Sequence, residues 1–436
     1  MFLRRYLRSS VSILVLLGFI FSAFADTQPT TPQLDDLPDL FKILQVHEVR
    51  VNALSVRSTE PVALEHYEIP LRAVETDISS RLSENIKSSL IFEKNGEKYV
   101  RWIINPEDTK WHLEVAEHLR SKNIPVVKGQ YFTGYQTASR SYLVIDPKTK
   151  ATFSLKVSTN HTGGQWTDKK QEWEDAKQIR TAYDYVFDAI KKHGQLKHAI
   201  VIDEPAAFGL PAIDQAMVVR TYDVLERGNS ILIPGFSVLH GLYGERFAAR
   251  HNSNDPAAFW NEHYNKPLAR AMAELYAITG MQYDSPHSQN FLVELDFNGK
   301  PTGRIAFRDF GDAFVNPEAL EAHGRPDLAE KWDKDNIKPK VLDVGVGLLH
   351  GNYWPKWIPQ EIYQAYAHDF FKVFESEFKR ITGSDIGKNV TDISINSTGT
   401  YYTKYYPTDS VEGQRYLNWL RRHSSLSCRA IFKQAM

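Results

Sequence analysis

The apolar positions of the chain begin with one dense run and then spread into shorter periodic stretches. Residues 11–21 are apolar except for a serine and a glycine, and three arginines precede them, at Arg4, Arg5 and Arg8. Ala23-Phe24-Ala25 follows, with small residues where signal peptidase requires them. The alternative is an uncleaved membrane anchor, but a bilayer span needs about 20 apolar residues and this run is short, which favours cleavage. The pattern predicts a cleaved signal peptide over residues 1–25 and export to the periplasm or beyond.

Helical spacing of apolar residues predicts helices over residues 170–192, 256–280 and 360–382. A short buried-type strand over residues 198–203 ends at Glu204-Pro205, and Arg220 is predicted to lie on the next helix. The chain shows no regular alternation of strands and helices and no glycine-rich dinucleotide motif. These patterns predict an α+β fold with several lobes, mixed or antiparallel sheets, surrounding helices and a central cleft of the nucleotide-binding type.

Two β-hairpins are the most specific local signals. In each, runs rich in β-forming residues flank a polar turn. The first spans residues 141–159 around the turn 146–150, and the second spans residues 291–309 around Asn298-Gly299. An Asn-Gly pair between alternating runs is the strongest short-range hairpin signal, so the second hairpin is predicted with its open end near residues 290 and 309.

The length of the chain predicts more than one lobe. After residue 25 it exceeds the roughly 250–300 residues that one hydrophobic core usually serves. Residues 26–45 are rich in Pro, Thr and Asp, which predicts a flexible lead-in. The predicted lobes are an N-terminal lobe at 46–130, a central lobe at 131–255 and a C-terminal helical lobe at 256–436. The central lobe holds the Lys156 strand, and the C-terminal lobe holds the hairpin of residues 287–312.

Charge and cysteine content exclude several classes of partner and site. The formal net charge is −1 and becomes −4 on removal of residues 1–25, which contain three arginines and no acidic residue. That balance argues against nucleic acid as a partner. Cys428 is the single cysteine, so neither an intramolecular disulfide nor a cysteine-based zinc site can form. No second apolar run is long enough for a membrane span.

The first segment with candidate chemistry surrounds Lys156. Lys156 lies between Leu155 and Val157, so its ammonium either points into a cleft or lies on an outer face of the strand. Residues 158–162 are a run of hydroxyl, amide and imidazole side chains, and Gly163-Gly164 follows. Paired glycines let backbone N–H groups approach an anion closely. The segment is therefore a candidate anion site.

The second candidate segment brackets the predicted hairpin. His287 and Asn290 lie just before its first strand, and Arg308-Asp309-Phe310-Gly311-Asp312 follows its second. A hairpin brings its two ends together, so Asn290 and Asp309 are expected to be neighbours. An amide oxygen and carboxylates are ligands that Mg²⁺ uses when it bridges nucleotide phosphates. The alternative is that Asp309 or Asp312 only caps or turns the chain.

The order of these motifs resembles that of the siderophore synthetases that work without a nonribosomal peptide template, the aerobactin-synthetase type. The resemblance covers about residues 130–320, and its most specific elements are His-x-Gln-Asn and Arg-Asp. Where the family has an arginine after its loop threonine, this chain offers Lys169 and Lys170. The matching elements are Arg140-Ser141, Lys156-Val157-Ser158, Thr162, Glu204-Pro205, His287-Ser288-Gln289-Asn290 and Arg308-Asp309.

The resemblance implies an AMP-forming ligase that uses ATP and Mg²⁺ in siderophore biosynthesis and iron acquisition. Such enzymes activate a carboxylate, typically of citrate, as an acyl-adenylate and pass it to an amine or hydroxyl. By resemblance, Lys156, His287 and Arg140 are the catalytic residues, and Asn290, Asp309 and Asp312 are the metal ligands. The oligomeric state is left open, with a homodimer as one alternative. The implied nucleotide-binding residues are Ser139, Arg140, Lys156, Ser158, Thr162, His287, Gln289, Asn290 and Asp309.

Two other functions remain open at this stage. A strand lysine, an asparagine before a hairpin and Asp309-Phe310-Gly311 are also compatible with an exported kinase-like phosphotransferase. An exported protein that binds a polycarboxylate or a metal chelate without catalysis is the third alternative, because an exported enzyme needs ATP outside the cytosol. Nucleotide binding separates the two enzymes from the binding protein, and the product, AMP or ADP, separates ligase from kinase.

Overall fold

The structure, a computed structural model, describes most of the chain from residue 61 to residue 434. The intervening residues outside the description are 138–139, 163–166, 223–229, 236–237, 239–242, 284–287, 297, 333, 339–340, 347–357, 359, 390–392 and 396–401. Strands and helices occur throughout the described ranges, and they are numbered separately in chain order.

The strands are β1 (Val62–Pro70), β2 (Glu75–Ile78), β3 (Ile91–Lys94), β4 (Glu97–Ile103), β5 (Lys128–Gln136), β6 (Ser141–Ile145), β7 (Thr152–Val157), β8 (Ala199–Val201), β9 (Ala206–Leu210), β10 (Gln215–Thr221), β11 (Ser230–Pro234), β12 (Met281–Tyr283), β13 (Phe291–Asp296), β14 (Pro301–Phe307), β15 (Ala313–Val315), β16 (Val341–Gly345), β17 (Ile393–Ile395) and β18 (Tyr402–Pro407). The helices are α1 (Glu84–Leu90), α2 (Trp111–Ser121), α3 (Trp173–His193), α4 (Tyr243–Arg250), α5 (Pro256–Trp260), α6 (Lys266–Thr279), α7 (Pro317–Ala322), α8 (Gln360–Thr382) and α9 (Val411–Gln434).

The described residues fall into two units. The first unit, here the sheet unit, contains residues 61–184 and 202–222, and the second, here the helical unit, contains residues 185–201 and 230–434. These units differ from the three lobes predicted from the sequence. The reason is that strands from 46–130 and from 131–222 hydrogen-bond within one sheet, so no boundary falls near residue 130.

The sheet unit is built on an antiparallel sheet of nine described strands, in the order β2-β9-β10-β7-β6-β5-β1-β4-β3. Side chains alternate between its two faces, as in any strand. On β7, Phe153, Leu155 and Val157 face a hydrophobic core that also contains residues of α1 and α2. Ser154 and Lys156 therefore lie on the opposite face, where they are also buried.

The helical unit combines small sheets with long helices. One sheet has the order β11-β13-β14-β8, in which β8 runs parallel to β14 and the other neighbours are antiparallel. Smaller sheets join β12 with β15, and β16 with β18 and β17. Nearly all of α6 is buried, and α8 packs along it. The architecture is α+β, as predicted.

The predicted elements are largely confirmed. Both hairpins form, as β6 with β7 and as β13 with β14, and the predicted helix 360–382 is α8. The placement of Arg220 on a helix is wrong, because Arg220 lies in β10 between strands β7 and β9. Among the described residues, no helix combines the length and apolar character that a bilayer span requires.

Candidate functional site

Lys156 occupies an interior strand of the large sheet. In the strand register it stands opposite Ser141 of β6 and Val218 of β10. Its side chain is 8% exposed, so it is not the solvated outer lysine that the strand pattern left open. Arg220 lies two residues beyond Val218 and therefore on the same face, which thus combines two cationic side chains with buried hydroxyl groups.

The residues after β7 are tied into the sheet unit by hydrogen bonds. The Ser158 hydroxyl accepts from the Gln171 backbone N–H at 2.8 Å and donates to the Gln215 amide oxygen at 3.1 Å. These bonds connect the end of β7 to the segment before α3, so they give Ser158 a structural role. Its nucleotide-binding role remains a prediction. Thr162 is buried at 5% exposure.

Arg140 and Lys170 contact each other in this unit. The Arg140 guanidinium donates to the Lys170 carbonyl oxygen, and the Arg140 carbonyl accepts from the Val157 N–H at 3.1 Å. The Lys170 ammonium donates to the Ile213 carbonyl at 2.7 Å and lies 3.5 Å from Glu114. Lys170 is therefore held by protein partners, and which of the two lysines takes the place of the family's arginine remains open.

A buried ionic network follows the end of β8. Glu204 is fully buried, and one of its oxygens accepts from both Nε and Nη2 of Arg220, at 2.8 and 2.5 Å. The guanidinium of Arg180, also fully buried, donates to the Glu204 carbonyl at 2.7 Å. Next to it, Arg81 donates to the Asp203 carboxylate at 2.8 Å. Burial raises the pKa of Asp203, although Arg81 opposes the shift.

The hairpin of β13 and β14 positions the second group of candidates. Its turn is capped by Asp296, whose carboxylate accepts from the N–H groups of Asn298 and Lys300 at 2.8 and 2.9 Å. Gly299 has φ +75°, which glycine adopts without strain. At the open end Phe291 pairs with Phe307, and the Arg308 N–H donates to the Asn290 carbonyl at 3.1 Å.

Asn290 and Asp309 consequently lie at the same end of one hairpin, and both are half-buried. Asp309 has φ 66° and ψ 67°, in the left-handed region, which aspartate and asparagine enter more readily than other non-glycine residues. Asp214 and three asparagines among the described residues also have positive φ, so this conformation marks a turn of the backbone and not a site by itself. The buried Arg308 side chain points to the turn before β13, where its Nε donates to the Gln289 carbonyl at 3.0 Å.

Several predicted site residues lie outside the described residues: Ser139, Gly163, Gly164 and His287. The backbone of Asp312 ends a short 3-10 helix at Phe310–Asp312, but its side chain is also outside the description. Within the described ranges, no group of three or more His, Cys, Asp or Glu side chains could hold a metal ion. Asn290 and Asp309 therefore remain the testable part of the predicted metal site.

One residue of the hairpin site was missed at the sequence level. The Tyr283 hydroxyl donates to the Arg308 carbonyl at 3.3 Å, immediately before Asp309. Its ring stacks on Phe307 and Phe310 with centroid distances of 6.1 and 5.5 Å. Tyr283 thus supports the backbone next to Asp309. In the sequence, only the position of this tyrosine, just before the His-x-Gln-Asn segment, indicated such a role.

Comparison with solved structures identifies the class of fold. The petrobactin biosynthesis protein AsbB from Bacillus anthracis aligns with a TM-score of 0.52 and 12% identity, over 85% of this chain and 70% of that one. The chain thus shares the fold of siderophore biosynthesis proteins, as the motif resemblance implied. No protein-family model and no curated protein matches the sequence.

Two further structures, both from Klebsiella pneumoniae, resemble the chain less closely. Aerobactin synthetase IucA with ATP bound aligns at a TM-score of 0.47 with 12% identity, and aerobactin synthetase IucC aligns at 0.47 with 11%. Each alignment covers 74% of this chain and 62% of the other. This chain therefore spans about three fifths of the length of the aerobactin synthetases.

Proposed function

We propose that this protein is an exported ATP-dependent ligase that condenses a citrate-like carboxylate with an amine or hydroxyl through an acyl-adenylate. The observation that supports this proposal is the arrangement of residues at the open end of the hairpin formed by β13 and β14. In a fold shared with a petrobactin biosynthesis protein, it holds Asn290 and Asp309 at the same end of one hairpin, where the Arg308 N–H donates to the Asn290 carbonyl. The family resemblance implies both residues for nucleotide chemistry.

ATP and Mg²⁺ are implied by the resemblance, and the donor groups test whether they fit. Mg²⁺ in nucleotide enzymes usually takes one or two protein carboxylates and completes its shell with phosphate oxygens and water. One carboxylate and one amide oxygen at the hairpin end, from Asp309 and Asn290, match that requirement. Lys156, a buried cation of the sheet unit, is the residue that the resemblance implies toward phosphate. In donor type, the residues of each unit fit the group that the resemblance assigns to them.

Each side chain has a role that follows from its chemistry. Bound ATP supplies an electrophilic α-phosphorus for activation of the carboxylate. Lys156 and Arg140 would neutralise phosphate oxygens, and Asn290 with Asp309 would hold the metal. A substrate carboxylate oxygen bonds to the α-phosphorus as pyrophosphate leaves. The amine or hydroxyl then bonds to the acyl carbon and loses a proton as AMP leaves, so AMP and pyrophosphate are the expected by-products.

The test is product analysis with purified protein, Mg-ATP, citrate and hydroxylamine, which captures activated carboxylates as hydroxamates. We expect AMP, pyrophosphate and hydroxamate to form in equal amounts with wild type. Asp309→Asn keeps the size of the side chain and removes its charge. It should reduce turnover by at least about tenfold, because hydrogen bonds and contacts to charged groups contribute about 1.5–3 kcal/mol. A Mg²⁺ titration of both proteins checks that the loss reflects metal binding.

Other outcomes of this experiment support the two alternatives. ADP formation without AMP would support a phosphotransferase. Binding of citrate or a metal chelate without any nucleotide binding would support a non-catalytic binding protein. Identical, metal-independent behaviour of wild type and Asp309→Asn would contradict the catalytic role of the hairpin end.

A further inference from the structure

A buried tyrosine lies beside the turn that carries Gln289 and Asn290. Tyr264 is fully buried, and its hydroxyl has no hydrogen-bond partner among the residues that the structure describes. Burial raises the pKa of this hydroxyl, so it stays protonated and can donate. Because an unpaired buried hydroxyl is unfavourable, its presence requires an explanation.

Gly235 shows where the hydroxyl is directed. A Cβ atom on Gly235 would lie 2.1 Å from the Tyr264 hydroxyl oxygen and 2.9 Å from the Ser288 carbonyl oxygen. Both distances are far below van der Waals contact, so a side chain at this position would displace both groups. The donor of Tyr264 and the acceptor of Ser288 therefore approach the same point of the backbone.

The backbone around Tyr264 is fixed by two hydrogen bonds to helix α8. Tyr264 lies in the π-helical segment Asn261–Asn265 between α5 and α6. Asn261 donates to the Asp369 carboxylate at 2.7 Å, and Asn265 donates to the Tyr366 carbonyl at 2.9 Å, both on α8. Single π-helical turns inside helices are frequent at functional sites, and here the two anchors fix the origin of the Tyr264 side chain.

The turn 288–290 is also held by Arg308. Arg308 contacts two of its three carbonyl groups, donating from Nε to Gln289 at 3.0 Å and from its backbone N–H to Asn290 at 3.1 Å. The third carbonyl, that of Ser288, is the one beside Gly235 and Tyr264. The turn is thus placed between a guanidinium and a tyrosine hydroxyl.

We propose that Tyr264 is a positioning residue whose hydroxyl donates to the Ser288 carbonyl when nucleotide is bound, which fixes the turn that presents Gln289 and Asn290. The inference rests on the proposed function, because the turn belongs to the proposed nucleotide site. Tyr264 itself is fully buried, so the role assigned to it is positioning and not direct contact with the nucleotide. Its contribution is to the orientation of Gln289 and Asn290.

The test compares Tyr264→Phe with a matched variant, Tyr366→Phe. The Tyr366 hydroxyl is likewise buried and has no partner in the described part of the chain, but Tyr366 lies on α8 rather than beside the turn. Its substitution by phenylalanine retains the backbone carbonyl that accepts from Asn265. We expect Tyr264→Phe to raise the Kd for Mg-ATP about two- to tenfold, the effect of one hydrogen bond. Its melting temperature should stay at or above that of wild type. Tyr366→Phe should leave the Kd unchanged.

Amide hydrogen exchange of residues 288–290 provides a second readout that a purely structural role would not change. In wild type, Mg-ATP should slow exchange in this turn, and in Tyr264→Phe the protection should be smaller. Equal Kd and equal protection in wild type and Tyr264→Phe would overturn the inference and leave the proposed function intact. Equal losses in both phenylalanine variants would also overturn it. Failure of wild type to bind Mg-ATP would overturn the proposed function together with this inference.

Discussion

At the scale of single residues, the buried charges of the sheet unit must be paired to be tolerated. Glu204 is fully buried, and Arg220 is 5% exposed. A charge in such surroundings is unfavourable unless a counter-charge and hydrogen bonds compensate it. Arg220 supplies two hydrogen bonds to one oxygen of Glu204, and Arg180 binds the carbonyl of the same residue. The network thereby orients Arg220 on the face of the sheet that also carries Lys156.

We expect Glu204→Gln to lower the free energy of unfolding by about 3–5 kcal/mol, because it leaves the Arg220 guanidinium without its buried counter-charge. The control is Glu84→Gln, which removes the exposed ion pair of Glu84 with Lys87. Exposed pairs contribute only about 0–1 kcal/mol. Urea unfolding of both variants measures the difference. A loss below about 1 kcal/mol for Glu204→Gln would show that the pair is not essential to the sheet unit.

Lys156→Ala tests whether the face of the large sheet that carries Lys156 takes part in nucleotide binding. If the ammonium binds phosphate, its loss removes a charge-assisted contact of about 1.5–3 kcal/mol and weakens Mg-ATP binding by roughly ten- to a hundredfold. Lys177→Ala, at a lysine on the exposed side of α3, is the matched control. Calorimetric titration gives the affinities, and thermal unfolding checks that the fold is retained. Unchanged affinity would remove Lys156 from the site.

The burial of Lys156 was foreseeable in part, because apolar neighbours on both sides indicate an interior strand. The location of Arg220 in a strand could not be foreseen from the sequence. The segment QAMVVRT reads equally as strand or helix, and its partners β7 and β9 are set by the register of the whole sheet. The location of Asn290 and Asp309 at the same end of one hairpin was predictable, since the Asn-Gly turn folds β14 back on β13.

At the scale of secondary-structure elements, three histidines connect the end of α3, the turn after α7 and helix α9. The ring of His193 lies 5.5 Å from that of His323 and 5.9 Å from that of His423, and it stacks on Trp419. His323 donates from Nε2 to the Ile278 carbonyl at 2.5 Å, so its Nδ1 accepts from the Ser424 hydroxyl at 3.1 Å. Positions about 100 residues apart carry no local signal, and the cluster was not predicted.

Two ion pairs lie around this cluster. Lys192 donates to the His323 carbonyl at 3.3 Å and pairs with Asp188 at 2.7 Å. Arg325 pairs with Asp327, and the Tyr185 ring packs edge-on against His323. Burial is the main cause that lowers the pKa of His193 to about 4 and that of His323 to about 3. Both side chains are therefore neutral in the folded protein near pH 7.

These shifts predict acid sensitivity of the helical unit. A histidine with a lowered pKa binds fewer protons when folded than when unfolded, where its pKa is about 6.5. Stability should therefore fall as the pH drops below about 6.5 and should continue to fall toward pH 4. His323→Gln retains a donor for the Ile278 carbonyl and removes the titration. We expect its melting temperature to decrease less than that of wild type between pH 7 and pH 5.

Exchange of the exposed His161 for glutamine is the control for that series, and it should reproduce the wild-type pH dependence. The comparison between variants is needed because carboxylates titrate in the lower part of the same range. Parallel pH profiles for wild type and His323→Gln would contradict a role of the buried cluster in acid sensitivity.

At the scale of the whole molecule, the α+β class could be predicted, but the division into units could not. Hydrophobic periodicity identifies individual strands and helices, whereas the sheet order places β2 beside β9 and β1 between β5 and β4. Such pairings join residues far apart in sequence and depend on the complete fold. The short β8 belongs to the helical unit and the adjoining Glu204 to the sheet unit, so the chain changes unit within a few residues.

Export is the remaining proposal about the whole chain, and it has a direct test. Residues 1–25 combine three arginines, a short apolar run and Ala23-Phe24-Ala25, so we expect the mature protein to begin at or near Asp26. Bulky or charged residues at the position before the cut block signal peptidase. Ala25→Arg should therefore leave uncleaved precursor on the membrane, whereas Asp26→Asn, just after the cut, should be processed like wild type. Mass spectrometry of the N-terminus in cytosolic, membrane and exported fractions measures processing. An intact Met1 on wild-type protein in the cytosol would contradict export, and its presence in the membrane fraction would support an uncleaved anchor.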